Sequence, residues 1–313
     1  MSLILLVALG FAFIVGTNDG AALLAANLTG KAIRPLPGLL ALVVALVVVP
    51  MLVGTSVADT LATGLVAFDA AEGPRALLVA VSVTIGLIYI SSRLGLPTSV
   101  TQALTGAMIG AGIGAGLHVD LEAFGRVVLS LALVPLVAGI ASLLVTAALV
   151  RLRVRGDLPE YLRRLHIGSY LISTIAYAAN DGQKMLAVLA IALGTSPTAL
   201  GPANLAALAA CFAAGAIFGL RRLAARFGRL LPGRPLNAIV AGYAAGLSVL
   251  ASALVGAPVS MSHATTAGLI GSATAIETYR RVRWEQVVRI GMTWLTTMPA
   301  ATFIAAVVAA TVR

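Results

Sequence analysis

Apolar residues in this chain run unbroken for about a bilayer's width at a time. The stretches 36–56, 76–92, 127–150, 203–220 and 287–312 are near or above the roughly 20 residues that a helix needs to cross hydrocarbon. With the more interrupted stretches added, the pattern predicts ten membrane segments. They fall at about 3–30, 36–56, 76–94, 97–117 and 126–150, then 165–195, 201–221, 237–256, 258–278 and 286–312. The first run begins at Leu3 without a basic region or small-residue cleavage site, so it reads as a membrane segment rather than a removed signal peptide. The predicted fold class is an all-α polytopic membrane protein.

Composition agrees with this reading. Hydrophobic residues make up 60% of the 313 positions and charged residues 10%, against about 25% in soluble domains. No polar stretch is long enough to fold alone. Nineteen of the 21 basic residues are arginine, and most fall at 151–164, 221–234 and 280–289. In a membrane protein such clusters anchor cytoplasmic loops and touch anionic lipid, so the net charge of +10 does not call for nucleic acid. Cys211 stands alone, which excludes a disulfide framework.

Polar residues enter the apolar runs at few places, and those places repeat. Gly16-Thr17-Asn18-Asp19-Gly20 returns as Ala178-Ala179-Asn180-Asp181-Gly182-Gln183, with Asp181 162 positions after Asp19. Pro97-Thr98-Ser99-Val100-Thr101-Gln102 returns as Pro258-Val259-Ser260-Met261-Ser262-His263, offset by 161. Two motifs in one order at nearly the same separation indicate an internal repeat. Matching loops carry opposite charge character. The loop at 31–34 is basic and its partner at 195–201 uncharged. The loop at 56–75 holds Asp59, Asp69 and Glu72, whereas its partner at 221–234 is strongly basic. The segment at 118–126 has two acids and one arginine, whereas 277–289 has four arginines and two acids. Under the positive-inside rule the two halves lie upside down relative to each other. The expected organisation is a first repeat at 1–150, a basic cytoplasmic linker at 151–164 and a second, inverted repeat at 165–313. An odd number of crossings, about five, falls in each repeat. The segments 97–117 and 258–278 open with polar residues and glycines, which marks them as broken or re-entrant at the midplane.

The chemistry of the two motifs is complementary. A carboxylate in hydrocarbon is costly and marks function by default. Asn, Asp and Gly together favour local unwinding, which survives at membrane depth only inside protein or beside a cavity. Oxygens of Asn18, Asp19, Asn180 and Asp181, with freed carbonyls, suit a hard monovalent cation, and Na⁺ is one candidate. In the second motif proline starts a helix. Hydroxyls of Thr98, Ser99, Thr101, Ser260 and Ser262 then sit beside free backbone N–H groups, a ready anion site. The bland alternative is plain helix capping. Gln102 and His263 face each other across the repeat and complete the candidate anion set, although a lone histidine here is more often a structural hydrogen-bonding group. Lys184 has no counterpart in the first half. It either faces the cavity, attracting an anion or pairing with Asp181, or snorkels to the surface. Gly106, Gly110 and Gly114 form a close-packing face, within the chain or between chains. Phosphate-loop, metalloprotease, nucleophile-elbow and Cys/His metal patterns are all missing, which excludes ATP hydrolysis as the energy source. An intramembrane enzyme using Asp and His263 is disfavoured by the duplication, and a passive anion channel is a minor alternative.

These residues resemble the inorganic phosphate transporter family, PiT, whose two halves each bear a Gly-x-Asn-Asp and a Pro-x-Ser-x-x-His motif. The C-terminal Trp294-Leu295-Thr296-Thr297-Met298-Pro299 is similar to the family's closing segment. The resemblance implies a multi-pass protein of the bacterial plasma membrane that moves inorganic phosphate by cation-coupled symport and alternating access, with Na⁺ or H⁺ as coupling ion and no cofactor. It implies that Asn18, Asp19, Asn180, Asp181 and Gln183 serve the cation, and that Ser99, Thr101, Ser260 and Ser262 contact phosphate. Gln102 departs from the family's histidine, Ala179 from its glycine, and Val100 and Met261 from a common threonine. Sulfate, also carried in this family, is the alternative cargo. Oligomeric state is left open.

Overall fold

The computed structural model describes residues 3–28, 33–94, 98–151, 158–230, 235–277 and 284–312. Regular structure among them is helical, apart from one isolated bridge between Val66 and Val119. The first half contains α1 (Leu3–Val15), α2 (Ala21–Leu28), α3 (Pro35–Val53), α4 (Ser56–Ala62), α5 (Gly73–Leu94), α6 (Val100–Ala115) and α7 (Leu121–Arg151). The second contains α8 (Leu158–Tyr177), α9 (Gln183–Leu193), α10 (Pro202–Leu230), α11 (Pro235–Leu254), α12 (Met261–Glu277) and α13 (Trp284–Thr311). Pro97, Lys31, the linker residues 152–157 and the arginines at 234 and 280–283 lie outside the described residues, as do the side chains of 221–230. Most of the loop-charge comparison falls there.

Seven helical stretches among the described residues are long and apolar enough to cross a membrane: Leu3–Leu28, Pro35–Val53, Gly73–Arg93, Leu121–Arg151, Pro202–Leu220, Leu236–Leu254 and Val287–Thr311. On α7 the exposed Leu129, Leu133, Leu136, Ile140 and Leu144 form an apolar stripe too large for a water-facing surface. This is a multi-pass membrane protein. Three of the ten expected segments, 97–117, 165–195 and 258–278, are not among these seven. Helix α6 has 16 residues and α12 has 17. At 1.5 Å per residue each is about 24–26 Å long, short of the roughly 30 Å hydrocarbon core. The run from α8 through α9 is long enough, but it buries Ser169, Ser173, Asn180, Asp181, Gln183 and Lys184 in protein rather than showing an apolar face to lipid. Two boundaries also move. Helix α8 begins at Leu158, inside the segment expected to be a linker, and α4 occupies part of the loop expected at 56–75.

Packing follows a crosswise exchange. Helix α6 lies along α13, and α12 lies along α7; α5 packs on α6 as α11 packs on α12. Small residues allow the close approach. A Cβ at Gly110 would sit 2.0 Å from the carbonyl oxygen of Thr302, and one at the matching Gly271 would sit 2.1 Å from that of Gly139. The expected glycine face of Gly106, Gly110 and Gly114 is therefore turned onto α13 of the same chain. Backbones this close gain dispersion contacts that replace the missing hydrophobic drive between helices in lipid. Helix α6 ends at Gly116, whose φ of 74° is the left-handed conformation that glycine adopts without strain at a helix C-terminus.

Candidate functional site

The two Asn-Asp motifs do not unwind. Gly16–Gly20 and Ala178–Gly182 form single π-helical turns inside otherwise continuous helices, α1 into α2 and α8 into α9. The Ala21 N–H reaches back to the Gly16 carbonyl, five residues instead of four. Expected unwinding is thus replaced by widening. The helix keeps its hydrogen bonds, and one extra residue per turn re-aims the side chains; such bulges are frequent at functional sites. The first π-turn is gripped by α10, where a Cβ on Gly16 would meet the Phe212 carbonyl oxygen at 2.1 Å.

Around the second π-turn the side chains of Asn180, Asp181 and Lys184 all have hydrogen-bond partners. Asn180, fully buried, donates from Nδ2 to the Ala257 carbonyl at 2.8 Å and accepts the Val259 N–H at 3.0 Å. It thereby fixes the connection between α11 and α12. Asp181 is 2% exposed. Its Oδ2 accepts the Met261 N–H at 3.3 Å, at the first turn of α12. Its Oδ1 accepts from Lys184 Nζ at 2.8 Å. Lys184 is 1% exposed, so it neither snorkels nor reaches a membrane surface; the second hydrogen bond of its Nζ goes to the Val259 carbonyl at 2.5 Å.

Gln183 stands apart from this cluster. Its Oε1 accepts the N–H groups of Val57 and Ala58 at 2.9 and 3.0 Å, and its Nε2 donates to the Gly54 carbonyl at 2.9 Å. The side chain caps α4 and seals the α3–α4 corner. In this structure Gln183 therefore serves the α3–α4 corner, and its amide is turned to main-chain groups there. A short helix exposes unpaired N–H groups at its start, and Thr55, the residue that precedes α4, supplies no side-chain cap.

Around the first π-turn the partners are fewer. Asp19 is 7% exposed. Among the described residues, the Nδ2 of Asn18 is the one group that hydrogen-bonds its carboxylate, at 2.8 Å on Oδ1. The carboxylate also lies within electrostatic reach of Asp181 and Lys184. Tyr177, at the start of the second π-turn, is a residue that sequence reasoning missed. It is fully buried, its hydroxyl has no hydrogen-bond partner among the described residues, and it feels both carboxylates. A phenol set beside the motif was the available signal.

The hydroxyl motifs meet at the starts of α6 and α12. Ser99 Oγ accepts the Gln102 N–H at 3.2 Å, and Ser260 Oγ accepts the His263 N–H at 3.4 Å. Each serine therefore caps its helix with a lone pair. Ser260 and Ser262 share a hydrogen bond of 2.9 Å. Thr101 donates to the Val259 carbonyl at 2.9 Å, joining the two helix starts directly. Thr98 and Ser99 are buried. Gln102 and His263 hold matching places, and each carries a buried polar atom without a partner among the described residues, Oε1 and Nε2 respectively. The imidazole of His263 stacks on Trp294 at 3.8 Å between ring centroids. The arrangement is two helix N-termini, tip to tip, with hydroxyls and two orphaned polar atoms beside a carboxylate pair. Hydroxyls and free N–H groups at helix starts are chemistry that suits an oxyanion.

Comparison with known proteins gives the family and the fold. The profile described as the phosphate transporter family matches residues 15–305. The chain belongs to the phosphate transporter family. It is 24% identical over 97% of its length to a protein of Bacillus subtilis (strain 168) named probable low-affinity inorganic phosphate transporter, covering 95% of that relative. A protein of the same name from Rhizobium meliloti (strain 1021) is 26% identical, with 96% and 92% covered. Another from Mycobacterium tuberculosis (strain H37Rv) is 29% identical, with 97% and 75% covered. A solved structure described as "The sodium-dependent phosphate transporter" superposes with a TM-score of 0.79 at 17% identity over 99% of both chains, which shows the same fold. Members of this family are transporters, not enzymes.

Proposed function

We propose that this family member carries inorganic phosphate across the membrane by cation-coupled symport, with alternating access between two inverted repeats. The observation that carries the reading is the meeting of the capped N-termini of α6 and α12, bridged by Thr101 and Val259, beside Asp19 and Asp181. N-terminal dipoles and hydroxyls attract an oxyanion, while uncompensated carboxylates repel it. A cation on Asp19, held with the Asn18 side chain, removes that repulsion, so anion entry depends on cation entry. Neutral hydroxyls of Ser99, Ser260 and Ser262 hold phosphate and release it more readily than arginines would. Thr98, Gln102 and His263 line the same helix starts, and the orphaned atoms of the last two gain partners when a polar ligand arrives.

The crosswise pairing of α6 with α13 and α12 with α7 supports two repeats, at 1–150 and 165–313, that exchange partners about a pseudo-two-fold axis. Short α6 and α12, each packed on its preceding helix, fit re-entrant hairpins whose tips meet inside the membrane, a known transporter design. The names of the relatives favour phosphate over sulfate, and the sodium dependence named for the structural neighbour favours Na⁺.

The test is reconstitution. Labelled phosphate uptake into proteoliposomes is measured with a Na⁺ gradient at fixed pH, and with a pH gradient lacking Na⁺. Accumulation above equilibrium under one of them is expected, with unlabelled phosphate competing and sulfate competing weakly. Uptake that never exceeds equilibrium under either gradient overturns symport in favour of a passive channel.

A further inference from the structure

The two carboxylates of the site differ in what neutralises them. Asp181 has its cation built in. Lys184 Nζ sits 2.8 Å from Oδ1 and 2.5 Å from the Val259 carbonyl oxygen, buried to 1% exposure. One carboxylate oxygen and one main-chain carbonyl are the ligands that a small monovalent cation would take. The same carbonyl accepts from Thr101, and the other Asp181 oxygen accepts the Met261 N–H. Thus the ammonium is locked into the tip-to-tip contact of α6 and α12. In the first half the place matching Lys184 is Ala22. Asp19 keeps only its bond from Asn18 among the described residues.

We infer that Lys184 is a tethered counter-cation that replaces an exchangeable ion at Asp181, so that one cation, bound at Asp19, accompanies each phosphate. The inference rests on the symport reading above and adds the cation count to it. Two carboxylates of equal standing would require two exchangeable cations before phosphate entered. With Lys184 in place the pair carries one uncompensated negative charge, and one cation completes it. The fixed ammonium stays with the protein through the cycle and contributes no driving force.

Two measurements test this. In the unaltered protein, opposing gradients that just stop net phosphate flux give the number of coupled cations per phosphate. One is expected, whether the ion is Na⁺ or H⁺, and two or more overturns the inference. In Lys184→Ala, space opens beside Asp181 and the Val259 carbonyl. The Na⁺ dependence of uptake is then expected to steepen from a Hill coefficient near 1 towards 2. Lys184→Met fills that space with an uncharged chain and is expected to lose uptake at every Na⁺ concentration. A lysine that merely packs the helix predicts equal losses in both variants and no change of slope, and that result also overturns the inference. Should K184A not fold, the count in the unaltered protein still decides. A chain that moves no phosphate under any gradient removes the symport reading itself, whereas transport with two cations removes only the tethered one.

Discussion

Asn18-Asp19 and Asn180-Asp181 are the same two residues on the same kind of π-turn, yet their surroundings are opposite. The second pair is committed. Asn180 holds Ala257 and Val259, and Asp181 holds Lys184 and Met261. Among the described residues the side chains of the first pair make one hydrogen bond, with each other. A repeated motif therefore does not imply repeated duty. One copy organises the α11–α12 tip, and the other keeps a buried carboxylate with capacity to spare. A buried carboxylate without a full set of partners is expensive, which is why the proposed function puts the exchangeable cation at the first copy.

The sharpest way to break that comparison is to neutralise each aspartate in turn. Asp181→Asn strands a buried ammonium, and losing one partner of a buried pair costs about 3–5 kcal/mol. A large fall in thermal unfolding temperature in detergent is expected. Asp19→Asn removes a charge that nothing fully compensates, so its stability should stay within about 1 kcal/mol of the parent. Its gradient-driven phosphate uptake, in contrast, should drop by about 100-fold, equivalent to ~3 kcal/mol of lost charge interaction. Equal destabilisation by both changes would show that the two carboxylates are alike after all.

The asparagines give the next largest contrast. Asn180→Ala leaves the Ala257 carbonyl and the Val259 N–H without their partner, at about 1–3 kcal/mol for each buried group left unsatisfied. Asn18→Ala removes one half-buried contact and should change stability by about 1 kcal/mol. The first should lower the unfolding temperature with cation affinity little changed among the molecules that fold. The second should weaken the cation dependence of uptake at nearly constant unfolding temperature. If the order of the two stability effects is reversed, Asn180 is not the clamp on the α11–α12 connection.

Much of this was legible from residue order alone. Long apolar runs announced a membrane protein, because lipid imposes element length directly. The two motifs at one offset announced a repeated site, and the helix-starting serines follow from cap chemistry, which is local. What stayed hidden depended on contacts distant in sequence. Nothing local to Gln183 says that it caps α4, 126 positions away from Val57. Lys184 was readable as snorkelling or paired, and only the position of the Val259 carbonyl decides between them. Asn-Asp-Gly was expected to unwind on propensity, yet the packing of α10 on Gly16 holds that turn as a widened helix. Propensity is weak beside tertiary contact. The short α6 and α12 were anticipated as irregular because glycine and hydroxyl residues interrupt their hydropathy.

The smallest expected effect has the clearest sign. Tyr177 and the matching Val15 differ by an aromatic ring and a hydroxyl, and that hydroxyl is buried, unpartnered and within the field of both aspartates. An unsatisfied buried polar atom costs roughly 1–3 kcal/mol. If the hydroxyl were an idle packing feature, Tyr177→Phe would raise the unfolding temperature and leave transport alone. If it serves the loaded site, as its position between the two motifs indicates, the same variant gains up to about 1 kcal/mol in stability while losing a few-fold in uptake. The loss should appear in the cation or phosphate concentration needed for half-maximal rate. Stability and transport moving in opposite directions is the expected result. A variant that gains stability with transport unchanged would place Tyr177 among the packing residues and leave the working asymmetry to Asp19 and Lys184 alone.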